Sequence, residues 1–566
     1  MGGALTVGRS EGLLTASRPA FRGLVAAHAS RLHDMVIPPA AVVLAATLAG
    51  LAVRLAHVLP AGFPLNDGGL FYLMAEDVQR AGYVLPEYSS YNSIGIPFAY
   101  PPLAYYLAAF LADIGPWSLL DVVRFLPLAA STLTIPFFYL LSRSLLPSRT
   151  MALIAVLVFA LLPRSFNWEI VGGGLTRSPG FLFAVLALHQ GYSLFNRGGA
   201  WRVVSTGAFA ALAVMSHPEM GWLVAFSLAI FLVAWGRSLP GLRSAFLAAL
   251  VAVLMTAPWW GMVLARHGIG PLLSAAQSGR HDWYSWAGQS LLTLSFTEEP
   301  FFPLLAAVGL VGSLVCLAER RFLLPVWLVA MFIMDPRKAS THAMMPLAML
   351  VGIAVGSLLL PFLAGISSGN GRLQKADAIR GLWPHVALVA LLVYGVASAV
   401  GTASDGFSPL HALSQENRQA MQWVANKTPD EAAFLVIKGR GSPWIDDVSE
   451  WFPALARRPS LATVQGYEWL GKAEYERQQR RYHEIHLCAR RTTVCLDRWA
   501  QEAGVAFSHV YLPKGGGGDC CAPLRSSLFA SPWYRVIYDG PGATVFVRTS
   551  PVVEPQDGSR DGTGNV

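Results

Sequence analysis

The stretch FPLNDGGLFYLMAEDVQR, residues 63–80, carries residue types from which an acid–base site could be built. It follows a long apolar segment and places Asp67 directly after Asn66, with Gly68 and Gly69 next. A carboxylate held at a membrane surface can take a proton from a hydroxyl group or bind a divalent cation. The glycines would let a substrate approach the backbone. The competing interpretation is a helix cap, because a carboxylate at a helix N-terminus accepts hydrogen bonds from free amides.

Two further stretches supply candidate catalytic side chains. MSHPEMGW interrupts what would otherwise be one apolar hairpin and places His217 and Glu219 at its tip. Ionisable groups are costly near a membrane interior and are usually functional there, although a polar turn capped by its own side chains is the alternative. NWEIVGGGLTRSP adds Glu169, for which the alternative is a structural ion pair with Arg164 or Arg177.

A basic stretch, MDPRKASTHAMMP, contains Arg337, Lys338 and His342 beside an apolar run. Cations next to an apolar wall suit a lipid phosphate, since the charges bind the head group while the wall packs against the chain. The alternative is that these side chains simply extend to the membrane surface from a buried stem. We therefore predict these three residues as a phosphate-binding group.

Long apolar runs must position these residues. Of the 566 residues 54% are hydrophobic and only 13% are charged, whereas soluble domains carry about 25% charged residues. Runs of about 17–25 apolar residues are long enough to cross a bilayer. The sequence therefore predicts a mainly helical protein with about eleven transmembrane helices, near 36–58, 122–142, 150–165, 179–195, 203–217, 220–236, 244–264, 302–318, 322–335, 343–364 and 383–400.

The loop charges predict the orientation of this bundle. With the N-terminal tail, residues 1–35, in the cytoplasm, basic residues fill every short loop on that side, while the acidic candidates fall outside. The same bias explains the net charge of +8 and predicts no nucleic-acid partner. The inside loops contain Arg143, Arg149, Arg197, Arg202, Arg237, Arg243, Arg320, Arg321, Arg372, Lys375 and Arg380.

The first external segment and the C-terminal third differ from the spans. LFYLMAEDVQRAGY and PPLAYYLAAFLADIG are too short to cross and predict helices lying along the interface. Residues 402–552 predict a small extracytoplasmic α/β domain, and 553–566 a disordered tail. The helices of the α/β domain are expected in SQENRQAMQWVANKTP and GKAEYERQQRRYHEIHL. Its strands are expected in AAFLVI, SLATVQG, VAFSHVYL, YRVIYDG and ATVFVRT. One or two disulfides are expected there among Cys488, Cys495, Cys520 and Cys521.

The order of these parts resembles the C-type glycosyltransferase (GT-C) superfamily of polytopic membrane enzymes. An apolar span is followed by the acid of NDGG, then by the PPL element of YPPLAYYLAAFL and by the Arg-led span RFLPLAASTLTIPFFYLLSRSLL. A polar break with His217 and Glu219 and a late basic stretch with Arg337 and Lys338 follow. The resemblance covers about residues 36–400, which would form the GT-C-like transmembrane domain to residue 401, and includes the C-terminal domain that many members carry.

The resemblance implies transfer of a sugar from a polyprenyl-phosphate-linked donor to an extracytoplasmic hydroxyl, on a glycan, lipid or protein acceptor. Asp67 would activate the acceptor or help to hold a divalent metal such as Mg²⁺ or Mn²⁺. Arg337 would contact the carrier phosphate, and Glu169 and Glu219 are candidates for a second carboxylate. The NDGG loop departs from the Asp-Glu pair of protein mannosyltransferases, which leaves the acceptor open.

Two other functions remain compatible with the sequence. A lipid or solute transporter would use the same ionisable residues as a pathway, and would show inverted repeats and charges inside several spans. A non-catalytic scaffold or sensor in the cell membrane would use the external domain for binding, and would tolerate replacement of Asp67.

Overall fold

The computed structural model describes residues 38–278, 283–367, 382–403, 410–439, 442–515 and 520–549. The predicted cytoplasmic tail, 1–35, and the predicted disordered tail, 553–566, lie outside these residues. Helices dominate the described chain. In order they are α1 Pro39–Ala61, α2 Gly69–Arg80, α3 Leu103–Ile114, α4 Leu119–Leu145, α5 Arg149–Leu161, α6 Gly174–Arg197, α7 Ala200–Ser216, α8 Pro218–Trp235, α9 Leu239–His267, α10 Gly270–Gln277, α11 Trp283–Leu292, α12 Leu304–Ala318, α13 Leu323–Met334, α14 Ala339–His342, α15 Met344–Ala354, α16 Leu360–Ser367, α17 Leu382–Gly401, α18 Gln415–Lys427, α19 Asp447–Ala456, α20 Lys472–Leu487, α21 Thr493–Ala503 and α22 Ala522–Ala530.

Each of the eleven predicted spans coincides with one of these helices or with a run of them. The tenth span is such a run, because α14, α15, the π-helical turn Val355–Leu359 and α16 follow one another almost without interruption. Within the described residues, six segments are individually long and apolar enough to cross a membrane: α1, α4, α8, α9, the run Ala339–Gly365 and α17. The polytopic helical architecture predicted from the sequence is thus confirmed.

The segment between α1 and α4, predicted to be external, forms the two predicted helices, α2 and α3, which pack against each other. Between them lies a short antiparallel hairpin, β1 Tyr88–Ser89 with β2 Ile96–Pro97. The chain then enters α4 through a capping box, in which the Ser118 hydroxyl accepts from the Asp121 amide and the Asp121 carboxylate accepts from the Ser118 amide. This cap fixes where the external segment ends and the next long helix begins.

The C-terminal part contains a four-stranded sheet flanked by α18 to α22. The strands are β3 Phe434–Val436, β4 His509–Pro513, β5 Tyr534–Asp539 and β6 Ala543–Arg548. Their order is β3-β4-β6-β5, with β3 parallel to β4 and the other pairs antiparallel. The predicted α/β character and both predicted helices, α18 and α20, are present. The disulfides of the described residues join Cys488 to Cys495 and Cys520 to Cys521.

The predicted strand SLATVQG is wrong. Only Ser460 pairs with the sheet, as an isolated bridge to Phe434. The Thr463 hydroxyl donates to the Ser449 carbonyl of α19 at 2.9 Å, so the chain leaves the sheet edge and runs along that helix. It then turns at Gly466, whose φ of +93° favours glycine.

One hydrophobic core joins the C-terminal domain to the segment between α1 and α4. Leu73 of α2 and Tyr105 of α3 are buried in the same cluster as Trp451 and Phe452 of α19. The rings of Phe63 and Trp451 meet edge to face, with centroids 4.6 Å apart. The C-terminal domain is therefore packed directly onto the loop that carries Asp67.

Candidate active site

Asp67 caps a helix, but not the one that its own loop enters. The N-cap of α2 is Gly68, which has no side chain of its own to cap the helix. The Asp67 Oδ1 atom instead accepts from the Gly173 amide at 2.8 Å, at the start of α6. Its Oδ2 atom lies 3.3 Å from Nη2 of Arg177, one turn into the same helix. The carboxylate thus faces a positive helix end and a guanidinium together, with 23% of its side chain exposed.

The glycines around Asp67 allow two backbone segments to touch. The Gly172 amide donates to the Leu65 carbonyl at 2.9 Å. A methyl group at Gly172 would overlap the Asp67 carbonyl oxygen, and one at Gly68 would lie 2.9 Å from the Gly172 Cα. The Gly run of NWEIVGGGLTRSP therefore lets the Asp67 loop pack directly on the N-terminus of α6.

A second cluster is centred on Glu219 at the start of α8. Its carboxylate lies 3.4 Å from the Arg337 guanidinium, 3.8 Å from the Lys338 ammonium and 3.9 Å from Nδ1 of His217. His217 also caps α8, because its Nδ1 atom accepts from the Glu219 amide at 3.2 Å. The alternative of a polar turn capped by its own side chains is therefore correct, and the same turn also brings Glu219 to the two cations.

Tyr100 lies between the pair of Asp67 and Arg177, which forms the first cluster, and the cluster centred on Glu219. Its hydroxyl is 3.4 Å from the hydroxyl of Thr176, the residue before Arg177. Its ring meets that of His217 edge to face, with centroids 5.8 Å apart. The charges of Asp67 and Glu219 both act on Arg177. The segment between α1 and α4, α6, α8 and the loop before α14 thus bring their charged residues to one region.

Glu169 lies in the interior of the protein. Glu169 is 2% exposed and accepts from the Ser178 hydroxyl at 3.2 Å. Neither predicted ion pair of Glu169 forms, because Arg164 pairs with Glu298 and Arg177 with Asp67.

The structure also encloses His342, the third predicted phosphate ligand. It is fully buried, with Nδ1 3.0 Å from a carboxylate oxygen of Asp335 and its ring stacked on Phe181. Within the described residues it forms no ion pair with Glu219, unlike Arg337 and Lys338, but it lies close enough to act electrostatically on that carboxylate.

The C-terminal domain contributes two residues that the sequence did not indicate. The Trp444 carbonyl accepts from the Asn66 side-chain amide at 3.2 Å, and the Arg337 guanidinium lies 5.6 Å from the Trp444 ring centroid. Glu450 accepts from the amides of Gly68 and Leu70. The segment SPWIDDVSEW resembles an ordinary polar loop and helix start, so only the tertiary fold identifies these residues.

Comparisons with known proteins identify the fold. Residues 99–261 match the family described as dolichyl-phosphate-mannose-protein mannosyltransferase. The archaeal oligosaccharyltransferase AglB from Archaeoglobus fulgidus, solved with an inhibitory peptide and a dolichol-phosphate, matches with a TM-score of 0.55 and 15% identity over 84% of this chain and 69% of that one. ArnT from Cupriavidus metallidurans bound to undecaprenyl phosphate matches with a TM-score of 0.50 and 13% identity, over 89% of this chain and 97% of that one. The arabinofuranosyltransferase AftD from Mycobacteria matches with a TM-score of 0.54 and 14% identity, over 90% of this chain and 40% of that one. No curated protein sequence matches the chain.

The chain has the GT-C fold. It is a multi-pass membrane protein, and the proteins with which it shares the fold are glycosyltransferases. Two of the structures named here carry a polyprenyl phosphate, which is the dolichol-phosphate of AglB and the undecaprenyl phosphate of ArnT.

One solved GT-C structure, the Archaeoglobus fulgidus oligosaccharyltransferase, is a complex with Zn and sulfate, which raises the question of whether Asp67 holds a metal. A protein site for a divalent ion normally gathers several oxygen or nitrogen ligands. Within the part of the chain that the structure describes, no three His, Cys, Asp or Glu side chains gather in this way. The two Asp67 oxygens already face the Gly173 amide and Arg177. The described side chains around Asp67 therefore do not by themselves form a complete set of metal ligands.

Proposed function

We propose that this GT-C protein transfers a sugar from a polyprenyl-phosphate-linked donor to a hydroxyl group of an extracytoplasmic acceptor. Asp67 acts as the base, and Arg337 and Lys338 bind the carrier phosphate. The observation that carries the proposal is the placement of a partly exposed carboxylate and two cations on either side of Tyr100.

The reaction needs little covalent chemistry from the protein. The acceptor oxygen attacks the anomeric carbon while Asp67 takes the hydroxyl proton. The bond from that carbon to the phosphate oxygen breaks, and the phosphate leaves with the electron pair. Arg337 and Lys338 neutralise this charge, and alignment of the two substrates supplies much of the rate.

Glu219 then has a positioning role. It pairs with both of the proposed phosphate-binding cations and so holds them beside the start of α8. A phosphate monoester carrying about two negative charges competes with a single carboxylate for the same cations. Glu169, enclosed beside Ser178, supports Arg177 electrostatically rather than contacting an acceptor.

Asp67 is better explained as a base than as a metal ligand. Arg177 already supplies the positive charge that a divalent ion would bring, and the helix end orients the other carboxylate oxygen. The proposal places the C-terminal domain and both clusters outside the cell and the N-terminus in the cytoplasm, following the loop charges.

The test is sugar transfer by the purified full-length protein with a panel of radiolabelled polyprenyl-phosphate sugars and membrane-extract acceptors. D67N should lower transfer by about 10²–10⁴-fold, as expected for loss of a general base, and R337A should raise the KM for the donor. Asp430→Asn and Arg477→Ala are matched controls, since their side chains are 94% and 51% exposed. Full transfer by both site variants would refute the site, whereas a wild type inactive with every donor would refute the function.

A further inference from the structure

Glu450 connects the C-terminal domain to the Asp67 loop. It lies on the first turn of α19, and its Oε1 atom is 3.3 Å from the Gly68 amide and 3.4 Å from the Leu70 amide. These two amides belong to the start of α2, immediately after Asp67. The side chain of Glu450 therefore supplies the helix cap that the loop itself lacks.

Hydrogen bonds and a close glycine contact also link the backbone around Glu450 to the Asp67 loop and its neighbours. The Tyr91 hydroxyl donates to the Glu450 carbonyl at 2.7 Å, and the Trp451 indole donates to the Asn66 carbonyl at 3.1 Å. A methyl group at Gly69 would overlap the Glu450 carbonyl oxygen. Contacts on both sides of Asp67 thus come from consecutive residues of one helix, which fixes the loop against that helix.

The carboxyl group of Glu450 lies in an environment that disfavours a negative charge. The residue is 3% exposed, and its Oε2 atom is buried without a hydrogen-bond partner. Among the described residues no Arg, Lys or His forms an ion pair with it, and its nearest charged influences are the acids Asp67 and Glu468. Burying an ionised carboxylate without a cation is costly, and the group takes up a proton instead.

We propose that Glu450 is a neutral carboxylic acid that positions the Asp67 loop, so that the C-terminal domain completes the catalytic site of the membrane domain. The catalytic part of this statement rests on the proposed function. The structural part, a neutral acid clamping the loop, stands on the contacts alone. Glu450 is a positioning residue, because it acts through Gly68 and Leu70 rather than on a substrate.

The neutral state ends at alkaline pH. Burial, followed by the charge of Asp67, raises the pKa of Glu450 from its ordinary 4.5 to about 8, against the opposing effect of the Gly68 and Leu70 amides. The other groups that face it are Glu468, which raises the pKa further, and the Tyr91 hydroxyl on its carbonyl. Asp446 is the N-cap of α19, the helix that carries Glu450, and Asp447 is its first residue. Both pair with Lys438, and Asp446 also pairs with His486.

The raised pKa of Glu450 determines how the stability of the folded protein changes with pH. A carboxyl with a higher pKa when folded binds more protons in the folded state between the two pKa values. Its contribution to stability is therefore full below about pH 4.5, falls as the pH rises towards about 8, and is lost above that value. The Glu450→Gln variant cannot ionise and keeps an amide oxygen for the Gly68 and Leu70 amides, so it should lack this fall.

The experiment compares thermal unfolding of the full-length protein in detergent from pH 5 to pH 9. Wild type and E450Q should unfold at similar temperatures at pH 5, and E450Q at the higher temperature at pH 9. E450A should unfold at a lower temperature throughout, because the two amides lose their acceptor. Glu502→Gln removes the same charge from an exposed position on α21 and should parallel wild type. Parallel curves for wild type and E450Q, or an E450Q protein that does not fold at pH 6, would overturn the proposal.

This measurement needs no substrate, so its outcome is separate from that of the sugar-transfer assay. Where transfer is measured, kcat of the wild type should fall above about pH 8 and that of E450Q should not, with the KM for the donor similar in both. If E450Q is less stable than wild type but its kcat still falls above about pH 8 as in the wild type, Glu450 serves only stability. That result would overturn the positioning role.

Discussion

The Asp67 carboxylate lies 3.3 Å from the Arg177 guanidinium, although 110 residues separate the two in the chain. The pair forms where the loop between α1 and α2 meets the N-terminus of α6. Because only 12% of the Arg177 side chain and 23% of the Asp67 side chain are exposed, water screens the pair less than it would on an open surface. Arg177 therefore sets the orientation of the proposed base.

Removal of Arg177 should impair catalysis more than folding. R177A is expected to lower transfer by about 10- to 100-fold, in keeping with about 1.5–3 kcal/mol for a hydrogen bond to a charged group. R177K should lie between R177A and wild type, because it keeps the charge but not the planar geometry. Steady-state kinetics with saturating donor would check this, and equal activity of R177A and wild type would contradict it.

Chelation should leave transfer unchanged. The oxygens of Asp67 face an amide and Arg177, and no cluster of metal ligands is present in the described ranges. The expected result is the same rate after dialysis against EDTA as before, with Mg²⁺ or Mn²⁺ giving no increase. A rate that falls on chelation and returns with one of these ions would instead make Asp67 a metal ligand.

Gly172→Ala should displace the Asp67 loop. The added methyl group would overlap the Asp67 carbonyl, and overpacking of this kind costs about 1–3 kcal/mol. Gly261 on α9 offers the matched control, since a methyl group there meets no heavy atom within 4 Å. We expect G172A to lose activity and thermal stability while G261A loses neither. Unchanged transfer in G172A would show that the loop tolerates displacement.

Binding of the carrier phosphate should weaken at alkaline pH. Burial lowers the pKa of Lys338 to about 8, so the cation is present at pH 7 and mostly lost at pH 9, while the phosphate stays ionised. If only charged Lys338 binds, the Kd rises up to about tenfold over this interval. The K338R variant stays charged and should bind the carrier phosphate equally well at pH 7 and pH 9. Titration with a short-chain polyprenyl phosphate measures the difference, and a rise of equal size in K338R would place the titrating group elsewhere.

Trp444→Ala should weaken the donor interaction through Arg337. The Arg337 guanidinium lies over the Trp444 ring, and a cation–π contact of about 0.5–2 kcal/mol corresponds to about 2- to 30-fold in KM. W444F should retain most of the effect. Trp533, which is 58% exposed in the same domain, provides the control as W533A. A change in the KM for the acceptor alone would assign Trp444 to the other substrate.

Much of the fold was predictable because long apolar runs allow few structures in a membrane. All eleven predicted spans are helices, and ionisable groups at the ends of those runs indicated Asp67, Glu219, Arg337 and Lys338 as candidate site residues. SLATVQG failed because a side-chain bond from Thr463 to α19 draws it off the sheet. Such a contact between distant segments leaves no local pattern.

The sequence by itself determined the helical membrane architecture and the residue types at the site, through hydropathy and charge placement along the chain. Only the tertiary structure decided that Asp67 caps α6 rather than α2, that Arg177 faces it, and that Glu450 holds its loop from another domain. The physical reason is that a hydrogen bond or ion pair depends on distances of about 3 Å. Those distances are set by how helices and domains pack, and not by spacing in the sequence.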